Sequence, residues 1–161
     1  MRRAEVLIVG GGPAGAACAA RLVQSGMDCL ILDQAAFPRP KLCAGWVTPE
    51  VWRDLGVDPS SYPHALTRFA SFQVAVKRLR FTLPTHQYAI RRLEFDAWLL
   101  QRSGAPFEQH RVQEVKPAGE GYAVDGLFWG RYLVGAGGTH CPVHAGLFSA
   151  APRPAAALIA A

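Results

Sequence analysis

Val6-Leu7-Ile8-Val9 is a run of four apolar residues, mostly β-branched, and such a run predicts a parallel strand buried on both faces. Ala14 to Ser25 continues with small residues and predicts a helix. Cys29-Leu30-Ile31-Leu32 predicts a second buried strand. Further along, the pattern turns from continuous to alternating. Phe72-Gln73-Val74-Ala75-Val76 and Leu79-Arg80-Phe81-Thr82-Leu83 predict an antiparallel pair around Lys77-Arg78, with Tyr88-Ala89-Ile90 as a third strand. Thr48-Pro49 reads as an N-cap followed by proline at the first helical position, opening a short helix that ends at Gly56. Leu93, Phe95, Trp98, Leu99 and Leu100 carry a helical period closed by Gly104. Arg111 to Val115, Tyr122 to Val124 and Tyr132 to Val134 read as short strands, with turns at Gly119-Glu120-Gly121 and Asp125-Gly126. The sum is an α/β domain: a parallel sheet with an antiparallel β insertion at residues 68–90.

The junction between the first strand and the first helix carries the chemistry. Gly10-Gly11-Gly12-Pro13-Ala14-Gly15 turns the chain sharply, and Asp33 stands at the carboxyl end of the second strand. Gly10 permits the tight turn, Gly12 lets backbone approach a pyrophosphate, and Gly15 brings helix and strand close together. The free N–H groups and positive dipole end of the helix N-terminus favour an anion there. Asp33 can accept hydrogen bonds from the ribose hydroxyls of an adenosine. Strand, turn, helix, strand and acidic residue occur in order, as a Rossmann-like dinucleotide-binding unit requires.

Composition narrows the class. The chain has 161 residues, half of them apolar and 18% charged, which fits one globular domain. Its net charge of +5 comes from basic residues scattered in pairs such as Arg2-Arg3, Lys77-Arg78 and Arg91-Arg92. They form no aromatic-interleaved stripe, so the charge suits an anionic dinucleotide better than nucleic acid. Cys18, Cys29, Cys43 and Cys141 show no framework spacing, which points to a reducing, cytoplasmic setting. The N-terminal Arg2-Arg3 and apolar stretch imitate a secretory signal, but glycines and a proline interrupt it. Cys141 and His144 lie three apart without the second pair a zinc site wants, so no metal is expected. No serine sits in a nucleophile elbow. The Ala/Pro-rich tail from Ala150 to Ala161 stops inside an apolar run, as a shortened domain would.

Four stretches together resemble the FAD-dependent oxidoreductases of the geranylgeranyl reductase type, within the group that includes aromatic hydroxylases. They are the βαβ unit; Phe37-Pro38-Arg39-x-Lys41-x-Cys43-x-Gly45, similar to that branch's FPRxKxCG segment; Arg92-x-x-Phe95-Asp96-x-Trp98-Leu99, similar to its RxxFDxWL helix; and Leu133-Val134-Gly135-Ala136-Gly137-Gly138. The last is similar to a second flavin motif usually written GADG, with Gly137 in place of its Asp.

The resemblance implies that Gly10, Gly12, Pro13, Ala14 and Gly15 hold the FAD pyrophosphate and Asp33 the adenosine ribose. It places Arg39, Lys41 and Cys43 along the cofactor, Arg92 beside the pyrophosphate, a backbone position near Val112 at the adenine, and Gly135 in the second flavin motif. It implies hydride transfer from reduced flavin to an unsaturated, prenyl-like small molecule, with NAD(P)H or an electron-donor protein as the candidate source of electrons. Two alternatives stand beside this: a flavin monooxygenase, and a shortened dinucleotide-binding fragment without catalysis. An apolar surface opened by shortening would favour self-association. The Trp-x-Trp-x-Ile-Pro box of flavin halogenases is not found in the sequence.

Overall fold

A computed structural model describes residues 1–148. Two compact units emerge: one from Met1–Arg39 with the described residues from Asp96 onward, the other from Pro40–Phe95.

In the first unit, β1 (Arg2–Val9), α1 (Pro13–Gln24) and β2 (Cys29–Asp33) form the βαβ unit expected from the apolar runs. Among the described residues, six strands make one sheet in the order β6-β2-β1-β9-β8-β7. β1 lies at its centre, parallel to β2 through Val6↔Cys29 to Val9↔Leu32 and to β9 (Phe128–Gly135) through Arg2↔Phe128 to Val9↔Gly135. The continuous apolar runs are explained by two covered faces. Leu7, Val9, Leu30 and Leu32 pack with Val115, Val124, Phe128 and Val143 on one side. Val6, Ile8, Cys29 and Ile31 pack with Ala19 and Leu100 on the other. Each such buried aliphatic side chain contributes about 1.5–3 kcal/mol relative to exposure, so the sheet centre is the rigid part of this unit.

Three local expectations change. Residues 111–114 are irregular, and the strand beyond them is β7 (Val115–Ala118), paired with β8 (Gly121–Val124). The Asp125 carboxylate takes the Gln113 and Glu114 N–H groups, which a sheet ladder would have needed. A short strand, β6 (Phe107–Gln109), adds to β2 in parallel. It is too brief to show a period. Tyr88-Ala89-Ile90 is the end of a longer strand rather than a separate one.

The second unit holds the antiparallel insertion. β4 (Leu66–Val76) and β5 (Leu79–Ile90) form a hairpin around Lys77-Arg78, and β3 (Trp46–Val47) adds to β5. α2 (Pro49–Asp54) starts after Thr48 as expected. Trp52 on α2 is buried in a cluster of rings, with centroids 5.5 Å from Tyr62, 5.9 Å from Tyr88 and 5.7 Å from Phe95. α3 (Arg92–Ser103) begins in this unit and continues into the first. No helix among the described residues is long and apolar enough to cross a membrane.

Candidate functional site

The carboxyl ends of β1, β2 and β9 bring the glycine turn, Asp33 and the second glycine motif together. Gly10 has φ +114°, and a Cβ there would lie 2.7 Å from the Gly137 backbone nitrogen and closer still to the Ala136 carbonyl. Only glycine tolerates both demands. A Cβ on Gly15 would collide with the Gly10 carbonyl oxygen, so this glycine lets α1 pack directly on the turn. Gly12 differs. Its nearest neighbour to such a Cβ is Arg39 Nη2, at 3.5 Å, an ordinary contact. Nothing in the protein's own packing requires glycine at 12, whereas 10 and 15 are required by the backbone itself.

Gly12 caps α1, with Pro13 at the first helical position and Ala14 after it; no acidic residue stands in the first turn. The positive end of the helix is therefore left uncompensated by its own side chains. The Arg39 guanidinium lies over the Phe37 ring at 5.0 Å and 3.8 Å from the carboxylate of Asp96, which is fully buried. Arg39 Nε is buried with no hydrogen-bond partner among the described residues. Phe37 itself lies beneath Gly11, 3.1 Å from where a Cβ would sit, and meets Phe107 edge-on at 5.7 Å. A cation is thus braced beside the helix N-terminus with donor capacity to spare.

Asp33 accepts from Gly11 N at 2.7 Å and from Ala35 N at 2.9 Å. A carboxylate has about four acceptor positions, so two backbone bonds fix its orientation while leaving capacity for ribose hydroxyls. His110 N donates to the Asp33 carbonyl at 2.8 Å, which ties the loop carrying Val112 to the end of β2. Val112 is half-buried against the core.

That loop is held from its other side by a pair the sequence did not reveal. His110 Nε2 lies 2.7 Å from Asp125 Oδ2, and Asp125 accepts from Gln113 N at 3.1 Å and Glu114 N at 2.7 Å. Burial pushes the Asp125 carboxyl upward, but the bonds from His110, Glu114 and Gln113 outweigh it and hold the group below its ordinary value. Fifteen residues separate His110 from its partner, so no local pattern in the sequence marks the pair. Asp96 was signalled better, as an acidic residue on the same helical face as Leu99 and Leu100.

Gly135 ends β9 opposite Val9, and a Cβ there would lie 3.0 Å from Cys141 Sγ. Cys141 belongs to the core, as does Cys29, whose thiol is raised by burial, with Asp28 and Cys18 adding to the rise. Lys41, Cys43 and Arg92 lie in the second unit. Lys41 and Cys43 are exposed, and the Cys43 thiol accepts from Gly45 N at 3.4 Å. Arg92 is half-buried at the start of α3.

The family described as NAD(P)-binding Rossmann-like domain matches residues 8–57. The menaquinone reductase of Mycobacterium tuberculosis is 36% identical over 101 residues, 58% of this chain and 25% of that protein. Digeranylgeranylglycerophospholipid reductase 2 of Methanopyrus kandleri is 31% identical over 100 residues, 62% of this chain and 25% of that protein. The matched region is thus about a quarter of the length of either relative. The halogenase PltM, solved in complex with phloroglucinol and FAD, superposes with a TM-score of 0.70 at 21% identity, covering 88% of this chain and 35% of that one, a likeness of fold. The chain carries a Rossmann-like nucleotide-binding fold of the FAD-domain type, similar over part of its length to proteins named menaquinone reductase and geranylgeranyl reductase.

Proposed function

We infer that this domain holds FAD along the carboxyl ends of β1, β2 and β9, in an enzyme that reduces a carbon–carbon double bond of an isoprenoid lipid. The observation that carries the reading is the contrast within the glycine turn. Gly10 and Gly15 are demanded by the protein's own backbone, while Gly12 leaves an open approach between the α1 N-terminus and Arg39. An open, positively polarised position beside a braced guanidinium fits a pyrophosphate.

In this reading Gly12, Pro13 and Ala14 bring backbone against the pyrophosphate, and the planar Arg39 fork neutralises its charge. Asp33, already oriented by Gly11 and Ala35, accepts from the adenosine ribose. The loop at Val112 meets the adenine, and Gly135, by packing closely on Cys141 and Val143, holds the second glycine motif at the carboxyl end of β9. For Lys41, Cys43 and Arg92, which belong to the second unit, a role along the cofactor rests on the family resemblance alone. When bound, FAD supplies the redox chemistry, taking two electrons from a donor such as NAD(P)H or a protein and delivering hydride to the substrate. The relatives' names support a lipid substrate with an isoprenoid chain.

The test is anaerobic incubation of the FAD-loaded, reduced chain with menaquinone or a geranylgeranyl lipid. Mass spectrometry of the lipid should show the gain of two hydrogens as the flavin reoxidises. Substrate-stimulated oxygen consumption with insertion of an oxygen atom would overturn the reductase reading in favour of a monooxygenase.

A further inference from the structure

The carboxyl ends of β1, β2 and β6 lie side by side within the first unit. The glycine turn follows β1, Asp33 ends β2, and residues 110–114 follow β6. Neighbouring strands are about 4.8 Å apart, so the three ends step about 10 Å along one edge of the sheet. A dinucleotide whose phosphates meet the glycine turn and whose ribose meets Asp33 brings its base to the third end.

What fixes that third end is remote from it in sequence. β8 and β9 are joined through Asp125-Gly126, both at positive φ (+50° and +65°), with Leu127 N donating to the Val124 carbonyl. The Asp125 carboxylate accepts from Glu114 N at 2.7 Å, from Gln113 N at 3.1 Å and from the His110 ring at 2.7 Å. Asp125 N donates in turn to the Glu114 carbonyl at 3.0 Å. His110 N donates to the Asp33 carbonyl at 2.8 Å, and its ring sits edge-on to Phe128 at 5.0 Å. The loop is thus pinned at one end to Asp33 and along its other end to Asp125. Between the pins, Arg111 and Val112 spend no backbone hydrogen bond on the described residues. A turn of this kind does not need a carboxylate, because glycine or asparagine suits positive φ as well. Every hydrogen bond of the Asp125 carboxylate among the described residues goes to residues 110–114.

We propose that Asp125 and His110 are positioning residues that set the preference for adenine, by holding the Arg111 and Val112 backbone against the edge of the base. This rests on the FAD site proposed above and adds the groups that decide which base is accepted. Adenine presents a donor at its 6-amino group beside an acceptor at N1, which a backbone C=O and N–H complement. Hypoxanthine reverses both, with an acceptor at O6 and a donor at N1. Backbone groups held in place reject the reversed edge, because they and the base would be left unpaired. A loop free to turn would suit either base.

The experiment is calorimetric titration of the 161-residue chain with ADP and with inosine diphosphate, which share ribose and phosphates. Wild type should bind ADP about tenfold more tightly. Asp125→Gly keeps a residue suited to the turn and removes the carboxylate, while His110→Phe keeps a ring beside Phe128 and removes its bond. Each should weaken ADP about five- to tenfold and leave inosine diphosphate within about twofold, so that the preference collapses. A pair with a merely structural role would lower both affinities alike, or neither, and either result overturns the proposal. Amide exchange in the wild type needs no variant to fold. ADP should slow exchange at Gln113 and Glu114 about fivefold more than inorganic pyrophosphate does, and equal effects of the two would also overturn it. A wild type that binds neither nucleotide overturns the FAD site and this proposal together. Binding of ADP without preference over inosine diphosphate overturns this proposal alone.

Discussion

Gly12→Ala and Gly15→Ala make the same chemical change three residues apart, and the structure predicts opposite consequences. At Gly15 the added methyl falls on the Gly10 carbonyl, and it also lies 3.3 Å from Ile8 Cγ2, so β1 or α1 must shift. Overpacking of this kind costs about 1–3 kcal/mol and more where backbone must move; about 3 kcal/mol is expected here, at the top of that range. For a chain of this length that lowers Tm by about 6–12 °C. At Gly12 the backbone is extended, at φ −70° and ψ −175°, and the methyl meets only Arg39 Nη2 at 3.5 Å. Two small effects oppose each other: alanine caps a helix less well than glycine, and it reduces the entropy of the unfolded chain by about 0.4–1 kcal/mol. Stability should therefore stay within about 1 kcal/mol of wild type. The same methyl occupies the approach assigned to the pyrophosphate, where a loss of about 1–3 kcal/mol weakens FAD binding roughly 5- to 150-fold. Calorimetric titration with FAD and thermal unfolding without it separate the two quantities. A Gly12→Ala chain that binds FAD like wild type would show that no pyrophosphate approaches Gly12, and one that melts as early as Gly15→Ala would show that packing requires glycine there.

Arg39→Lys keeps the charge but loses the planar fork stacked on Phe37, and FAD affinity should fall about tenfold in titration. The carboxyl of Asp125 is held below its ordinary value, so its contribution to stability is present above about pH 4 and is lost as pH falls through the lowered folded value. In Asp125→Asn that acid-dependent loss should be absent from the stability profile, measured by urea unfolding between pH 3 and 7, a range of about four units around and above the carboxylate pKa. Thiol alkylation followed by peptide mass spectrometry should label Cys43 first, because it is exposed while Cys29 and Cys141 are buried. Labelling of Cys29 at the same rate would show that β2 opens readily.

The elements that the sequence made plain are those with their determinants in adjacent residues. The runs Val6–Val9 and Cys29–Leu32 are apolar at every position because Leu7 and Ile8 face two different halves of the core. The glycine turn between them declares itself because a missing Cβ is a local property. The hairpin from Phe72 to Leu83 was legible through its alternation, and its turn through the two residues Val76 and Leu79 enclose. What escaped depends on partners far away along the chain. Residues 111–114 have strand-like composition, but their N–H groups are claimed by Asp125. β6 consists of three residues that owe their conformation to β2. The bracing of Arg39 by Asp96 spans more than fifty residues and leaves in sequence only an acidic residue on an apolar helical face.

Whether this chain holds FAD is decided by the visible absorption spectrum of the purified protein, with chromatographic identification of any released cofactor. A flavin spectrum is expected, with FAD recovered at about one equivalent per chain or taken up on addition, as one helix N-terminus and one glycine turn require. A colourless protein that fails to bind added FAD would contradict it, and so would a chain that binds NAD in preference to FAD.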